Sequence, residues 1–167
     1  MIFETERLYA RKLKESDEVL FFKLMSNPNV MNPIPQSPFN REESTTELHR
    51  LISLEKSTET KIWCLCEKGN DEFIGFCGLL KNDENEDEIA YRIIENFWGK
   101  GYGTEIAKGL IDFCFSTMES ETITADVSIE NIKSVKILNK FFAIQKEFFN
   151  SKDNCIDRRY ILKKENW

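Results

Sequence analysis

Three glycines spaced two residues apart form the stretch whose residue types point most directly to chemistry. The stretch reads Phe97-Trp-Gly-Lys-Gly-Tyr-Gly-Thr-Glu105, and a helical pattern begins directly after it. Glycine permits positive φ and lets a ligand approach the backbone closely. A helix N-terminus adds unpaired N–H groups and a partial positive charge. Together these features predict a binding seat for a phosphate or pyrophosphate group.

Two common phosphate-binding motifs do not fit this spacing. A P-loop requires Lys followed by Ser or Thr, whereas Lys100 is followed by Gly101. A dinucleotide fingerprint requires G-x-G-x-x-G, whereas the glycines at 99, 101 and 103 give G-x-G-x-G. The stretch therefore belongs to neither of these two nucleotide-binding classes.

The stretch resembles the coenzyme A loop of the GNAT acetyltransferases. That family has [Q/R]-x-x-G-x-G/A between its fourth strand and third helix; here Trp98 stands at the Gln/Arg position, followed by Gly101 and Gly103. A Trp followed by G-K-G-Y-[AG]-T-E is similar to the RimJ/RimL branch, which acetylates the N-termini of ribosomal proteins. The resemblance thus implies acetyl-CoA as co-substrate.

Further motifs of the family follow one another in the expected order along nearly the whole chain. Thr5-Glu-Arg-Leu8 with Arg11 resembles the opening T-x-R-L-x-x-R, and Asn131-Ile-Lys-Ser134 resembles the N-x-x-S of the penultimate helix. Phe73-Ile-Gly75 and Glu88-Ile-Ala-Tyr91 resemble the third and fourth strands. The resemblance implies an α+β fold with a mixed, mostly antiparallel sheet of about seven strands. It also implies about four helices and a splay between the fourth and fifth strands.

The hydrophobic pattern gives the same order, β-α-α-β-β-β-α-β-α-β-β. Strands are predicted at 7–13, 62–66, 73–80, 89–94, 123–127, 144–149 and 155–162. Helices are predicted from Ser16, with Val19, Phe22 and Met25 on the apolar side, from Asn40, over 104–115 and over 131–142. Residues 27–38 contain all four prolines and are predicted to be an irregular loop. In the fourth strand, alternation puts Glu88, Ala90 and Arg92 on one face and Ile89, Tyr91 and Ile93 on the other.

Length and composition limit the classes of protein to be considered. A chain of 167 residues is expected to form one domain, 1–167, and its net charge of −6 disfavours general nucleic-acid binding. The first residues lack a signal-peptide core and no apolar run reaches about 20 residues, so a cytoplasmic location without a membrane span is expected. Five cysteines without a C-x-x-C pair and a single histidine, His49, give little support to a metal site, a disulfide or a Ser-His-Asp site.

The resemblance also implies a layout for acetyl-CoA. Its pantetheine arm would lie between the fourth and fifth strands, paired with the backbone of Ile93 and hydrogen-bonded by Asn131. Backbone N–H groups of residues 99–104 would hold the pyrophosphate. Lys133, Lys136 and Lys140 share one helix side, and Lys136 is chosen with Lys100 as a basic contact. The expected set is Ile93, Trp98, Gly99, Lys100, Gly101, Tyr102, Gly103, Thr104, Asn131 and Lys136, with no metal.

Direct attack of an amine on a thioester needs a proton acceptor for the amine and a proton donor for the leaving thiolate. Glu88, at the edge of the fourth strand, is the predicted base, with Glu86 as the alternative. The five acids between 83 and 88 could instead attract a cationic amine. GNAT enzymes use a tyrosine as the donor, but none lies between Tyr102 and Tyr160. Ser134 is the predicted substitute, although a serine there could also bond only to backbone.

The resemblance thus implies an N-acetyltransferase in which the amine attacks the thioester directly, with no covalent enzyme intermediate. The resemblance favours the α-amino group of a protein N-terminus as acceptor, and a polyamine or amine-bearing antibiotic is the alternative. A non-catalytic coenzyme A-binding module is a third reading, because the helical tyrosine is missing and E-K-x-G-F is replaced by Asn139-Lys-Phe-Phe142. That change leaves the register of residues 139–147 open. Family members are often dimers, so a homodimer is also considered.

Overall fold

The computed structural model describes residues 1–54 and 59–167. Within this part of the chain, eight strands form one sheet in the order β1-β2-β3-β4-β5-β6-β8-β7. Neighbouring strands are antiparallel, except that β5 and β6 are parallel. The strands are β1 (Phe3–Glu4), β2 (Leu8–Lys12), β3 (Lys61–Glu67), β4 (Phe73–Lys81), β5 (Asp87–Ile93), β6 (Thr122–Ser128), β7 (Ala143–Asn150) and β8 (Cys155–Lys163).

Five α-helices accompany the sheet in the described residues, α1 (Glu18–Met25), α2 (Pro28–Met31), α3 (Arg41–Ser53), α4 (Tyr102–Ser116) and α5 (Ile132–Leu138). Asn40 begins α3 with the predicted capping box, because its side chain accepts from the Glu43 N–H at 2.9 Å and Glu43 accepts from the Asn40 N–H at 2.7 Å. The reciprocal pair satisfies two donors at the start of the helix.

The helices cover both faces of the sheet and bury a core on each. On one face, Ile106 and Leu110 of α4 pack with Ile89 and Ile93 of β5. On the other face, the buried side chains of α1, α2 and α3 pack with those of β3 and with Phe73, as Phe21, Leu24, Met31, Leu48, Cys64 and Cys66. Since successive strand residues point to opposite faces, each strand contributes to both layers.

The sheet opens between its two parallel strands. β5 pairs with β6 only at Asp87↔Ile123 and Glu88↔Thr124, although both strands continue beyond this point. The opposite edge of β5 stays paired with β4 as far as Gly75↔Ile93. The gap between β5 and β6 is the predicted splay, and its apex lies at Glu88.

Two predictions about the number of elements need correction. The sheet has eight strands rather than seven, because Phe3 and Glu4 pair with Ala10 and Tyr9 as a short edge strand. The described residues contain five helices rather than four, because α2 begins at Pro28 inside the segment predicted as irregular. Proline is favoured at this first position, since its fixed φ suits a helix and its missing N–H has no partner there.

The predicted apolar side of α1 is only partly confirmed, because Met25 is buried as predicted, Phe22 is half-buried and Val19 is exposed. Ser16 belongs to a 3-10 turn, Glu15–Asp17, and the helix starts at Glu18. The buried side chains are Phe21, Leu24 and Met25, whereas Val19 is 68% exposed. The buried positions of this short helix were therefore assigned to the wrong spacing over most of its length.

α5 ends at Leu138 instead of Phe142. Asn139 follows in right-handed helical conformation, and the Phe142 N–H donates to the Leu138 carbonyl at 2.9 Å. Residues 139–142 have no positive φ, so this turn does not require the glycine of the family pattern. Phe142 is 7% exposed and enters the core just before β7, which fixes the register that the sequence left open.

Candidate active site

A cavity of about 1300 Å³ lies at the splay and is lined from both faces of the sheet. Asn131 and Ser134 line it from the side of α5. Met25, Phe76 and Arg92 line it from the side of α1 to α3. A ligand that occupied the gap between β5 and β6 would therefore be accessible to a second ligand approaching from the opposite face.

The glycine stretch forms a seat at the N-terminus of α4. Gly99 and Gly101 have φ of 78° and 83°, and Gly101 is the residue that precedes the helix. No side chain caps this end, and the Glu105 N–H is the first to reach back, donating to the Gly101 carbonyl at 3.1 Å. The N–H groups of the first three helical residues, 102–104, therefore have no acceptor within the helix, which is the arrangement that a phosphate-binding helix end requires.

Gly103 has a different role from the other two glycines. A Cβ at this position would lie 2.7 Å from Cδ1 of Ile137 in α5. Glycine here lets α4 and α5 approach closely, and that contact brings α5 beside the loop. Tyr102 is 6% exposed and its hydroxyl donates to Glu67. Only its backbone N–H therefore remains for the predicted contact with the pyrophosphate.

The lysines that lie near the glycine loop are only partly the two that were predicted to contact coenzyme A, Lys100 and Lys136. Lys133 Nζ lies 3.6 Å above the Trp98 ring, and Lys140 Nζ donates to Thr104 Oγ1 at 3.2 Å. Lys100 Nζ lies 4.8 Å from the Phe97 ring centroid, and Lys136 is exposed on α5. Lys133 and Lys140 thus contact the loop directly, in addition to the predicted Lys100.

The backbone of β5 presents hydrogen-bonding groups to the gap. The Ile94 N–H donates to the Ile74 carbonyl at 2.8 Å, which fixes the phase of the ladder with β4. In an antiparallel ladder these bonds alternate, so the backbone groups of Tyr91 and Ile93 point toward the gap instead. Trp98 Nε1 donates to the Ile93 carbonyl at 2.9 Å, which leaves the Ile93 N–H for an added strand-like ligand.

Glu88, the predicted base, lies at the apex of the splay and lines the cavity. Burial, and less strongly the negative charge of Asp126, raise the pKa of Glu88 to about 8, against the opposing charge of Arg159. Arg159 is 1% exposed and forms an ion pair with Asp126 at 2.7 Å. Glu86, the alternative base, instead accepts a hydrogen bond from Asn82 at 2.9 Å in the hairpin.

Ser134 lies beside Tyr91, for which the sequence predicted a position on β5 but no catalytic role. The Ser134 backbone N–H donates to Asn131 Oδ1 at 3.4 Å, so Asn131 caps α5, and Asn131 also lines the cavity. The Ser134 hydroxyl lowers the pKa of Tyr91, whereas burial raises it more strongly. Within the described residues the buried Tyr91 Oη makes no hydrogen bond of ordinary geometry. Strand alternation predicts the face on which Tyr91 lies, but its position beside Ser134 depends on the packing of β5 near α5, which no local spacing encodes.

Splayed parallel strands beside an uncapped helix that follows a glycine loop are typical of acyl-CoA-dependent transferases. The model of the acetyltransferase (GNAT) domain matches residues 7–141, and the chain belongs to this family. It is an acetyl-CoA-dependent N-acetyltransferase whose acceptors are amines.

Similar proteins agree with this assignment. The uncharacterized N-acetyltransferase p20 of Bacillus licheniformis is 32% identical over 86% of this chain and 82% of its own length. Spermidine N(1)-acetyltransferase of Vibrio cholerae is 23% identical over 93% of each chain. A GNAT acetyltransferase structure from Bacillus anthracis has a TM-score of 0.85 at 21% identity, over 98% of each chain. A Salmonella typhimurium acetyltransferase that modifies the N-terminal serine of ribosomal protein L7/L12 has a TM-score of 0.79 at 16% identity, over 95% and 96% of the chains.

In the part of the chain that the structure describes, no helix is long and apolar enough to cross a membrane.

Proposed function

We propose that the protein transfers the acetyl group of acetyl-CoA to a primary amine by direct attack, with Glu88 as the general base. The observation that carries this proposal is the position of Glu88 at the apex of the splay, inside a cavity lined from both faces of the sheet. A carboxylate with a pKa of about 8 accepts a proton efficiently near neutral pH, because the best base has a pKa close to the working pH.

Different residues around the splay are assigned to deprotonating the amine, stabilising the oxyanion and assisting the leaving thiolate. Glu88 takes a proton from the acceptor ammonium, directly or through water, and the neutral nitrogen attacks the thioester carbon. As the C–N bond forms, the Tyr91 N–H in the gap is positioned to stabilise the oxyanion. The C–S bond then breaks as the nitrogen gives up its second proton, and that proton reaches the leaving thiolate through water or by way of the Ser134 hydroxyl, which also donates a hydrogen bond to the sulfur. The products are the N-acetylated amine and free coenzyme A.

The first candidate acceptor is the α-amino group of a protein N-terminus. Support comes from the Trp98-Gly-Lys-Gly-Tyr102 motif, which resembles the RimJ/RimL branch. The cavity is also larger than an acetyl group and a small amine need, and it extends to the segment of residues 34–39. A chain terminus could therefore enter with more than one residue.

The second candidate is a small amine such as a polyamine. Carboxylates line much of the cavity, as Glu43, Glu47, Asp83, Glu88, Asp126, Asp153 and Asp157. Negative charge in a cleft attracts cations and raises their local concentration. A coenzyme A-binding module without turnover is less well supported, because a buried base at the apex of the splay has no role in binding alone.

Mass spectrometry of acceptor mixtures tests the function. One mixture contains peptides with Ser, Ala, Thr and Met at the N-terminus, and the other contains polyamines and aminoglycosides. With acetyl-CoA, wild-type protein should add one acetyl group to members of one mixture, and Glu88→Gln should give much less of the same product. If no amine is acetylated while acetyl-CoA still raises the melting temperature, the catalytic proposal is wrong and the binding module is favoured.

A further inference from the structure

Arg92 places a cation in the cavity wall among neutral groups. It extends from β5 toward α1 and α2, where Nη1 contacts Met31 Sδ at 3.1 Å and Met25 Sδ at 3.3 Å. Nη2 lies 3.4 Å from Gln36 Oε1, and the guanidinium carbon lies 5.3 Å from the centre of the Phe76 ring. Thioether sulfurs are weak acceptors, so most of the donors of this guanidinium lack a strong partner.

No ion pair includes Arg92 in residues 1–54 and 59–167. The carboxylate that acts on it most is Glu47, but Arg50 holds both oxygens of Glu47 at 2.7 Å. Burial lowers the pKa of Arg92 to about 10, because the guanidinium loses the water that would stabilise its positive charge. A buried charge without a counter-ion is costly, and proteins pair such groups with an opposite charge.

We propose that Arg92 binds a carboxylate of the acceptor, so that the substrate is an amine that also carries a carboxylate. This inference rests on the proposed function and specifies its substrate class. A planar guanidinium fork matches a carboxylate by two parallel hydrogen bonds. Arg92 faces α1 and α2, whereas the pyrophosphate seat is at the start of α4, so the anion belongs to the acceptor and not to coenzyme A.

The position of Arg92 relative to Glu88 indicates the orientation of this substrate. Both side chains lie on the same face of β5 and line the same cavity. Their Cα atoms are about 13 Å apart, as four residues of an extended strand require. The amine would be held near the thioester with Glu88 as base, and the carboxylate near Arg92. A polyamine would instead bring an ammonium group toward a guanidinium, which is repulsive.

Matched acceptors that differ only in the anion test the proposal. One arm uses free amino acids of increasing length, from glycine to 4-aminobutyrate, each against its amide. The other arm uses C-terminally amidated peptides with Asp at the second position, each against the same peptide with Asn. The first arm reports a substrate's own terminal carboxylate, and the second reports a side-chain carboxylate near a protein N-terminus.

We expect wild-type protein to prefer the acid over its amide by roughly 10- to 100-fold in kcat/KM in one arm, mainly through KM, as one charge-assisted interaction provides. Arg92→Met should reduce this preference to about one. Arg92→Lys should retain part of it, because the charge remains and the fork is lost. The affinity for acetyl-CoA should be unchanged in both variants.

Arg92→Met is also expected to fold, because a methionine packs with Met25 and Met31 and removes an unpaired buried charge. Its melting temperature should not fall below that of wild type. If it does fall, the comparison of acids with amides is made with Arg92→Lys instead. A binding readout independent of turnover is the melting temperature, which the preferred acid should raise in wild type but not in Arg92→Met. Equal rates for acids and amides would overturn the carboxylate site and leave the acetyltransferase intact, whereas no acetylation of any amine would overturn the proposed function itself.

Discussion

Arg7 and Glu105 form an ion pair that ties the start of the chain to the first turn of α4. Arg7 Nε donates to Glu105 Oε2 and the Arg7 N–H donates to Oε1, each at 2.7 Å. Thr5 Oγ1 donates to the same Oε1 at 2.6 Å. Arg7 Nη1 also donates to the Lys100 carbonyl, at 2.9 Å. The T-x-R motif therefore holds in place the loop whose N–H groups are predicted to bind the pyrophosphate.

The first prediction concerns this support. Arg7→Ala should weaken coenzyme A binding roughly 5- to 10-fold, because the Lys100 carbonyl and Glu105 lose a charged donor. Isothermal titration calorimetry with coenzyme A measures the change. Arg158→Ala is the matched control, since Arg158 pairs with Glu147 at 2.6 Å between β7 and β8. Equal losses in both variants would show that Arg7 has no specific role in the loop.

The second prediction concerns the seat itself. Gly101→Asp should abolish measurable binding of coenzyme A, because it adds a negative charge beside the pyrophosphate and a side chain at φ of 83°. Gly69→Asp controls for backbone strain, because Gly69 has φ of 96° in the turn between β3 and β4 and open space around it. The control should lose stability to a similar extent and still bind. Unchanged affinity of Gly101→Asp in calorimetry would show that the pyrophosphate binds elsewhere.

Features encoded by local spacing were predicted well from the sequence. The glycine loop, the capping box at Asn40 and the alternation of Glu88 and Arg92 against Tyr91 each depend on residues within a few positions of one another. Their geometry follows from preferences of φ, from helix capping and from the two-residue period of strands. The splay followed from the family resemblance, and the pairing of β5 with β6 confirms it.

Features that depend on distant partners could not be predicted in this way. Arg7 and Glu105 are 98 positions apart, and only the fold brings them together. The contact of Tyr91 with Ser134 and the isolation of Arg92 depend on how β5 packs against helices on its two faces. In α1, residues 19–22 and residues 24 and 25 are all apolar, so the sequence alone does not show which side of the helix is buried.

The third prediction is the pH dependence of Glu88. Catalysis requires the ionised form of Glu88, so kcat/KM should rise with pH through an apparent pKa of about 8. Glu88→Gln should lose this ionisation and lower kcat roughly 100-fold or more, the range that a positioned base contributes. Initial rates from pH 6 to pH 9.5, over a series of acceptor concentrations from well below KM to saturation, give kcat/KM and kcat and so measure both effects. An unchanged profile in Glu88→Gln would assign the ionisation to another group.

Glu88 should also affect the free energy of unfolding. Its pKa is raised in the folded state, from 4.5 to about 8, so between these values the native protein binds a proton that the unfolded chain has lost. The contribution of Glu88 to the free energy of unfolding of the wild-type protein therefore falls as pH rises through this interval. Glu88→Gln has no such loss, so its free energy of unfolding relative to wild type should increase from pH 5 to pH 8. Urea unfolding at a series of pH values measures the difference, and a constant difference would contradict the raised pKa.

The last prediction separates the roles of Ser134 and Tyr91. Both groups lie at the gap, and the buried Tyr91 Oη has no hydrogen-bond partner of ordinary geometry in the described residues. If they act together on the leaving thiolate, Ser134→Ala and Tyr91→Phe should each lower kcat roughly 10-fold, and the double variant should lose less than the product of the two. Acetyl-CoA affinity should change little.

Two exposed or peripheral hydroxyls provide the controls for this cycle. Tyr9→Phe removes a hydroxyl that donates to Asp71 at 2.8 Å on β2, and Ser116→Ala removes one that donates to the Asp112 carbonyl at the end of α4. Both controls should keep full turnover. The cycle is measured at several pH values, since a proton donor to the thiolate matters most when the solution provides few protons. Full turnover of both Ser134→Ala and Tyr91→Phe across this range would mean that water protonates the thiolate, and that the pair only shapes the wall of the gap.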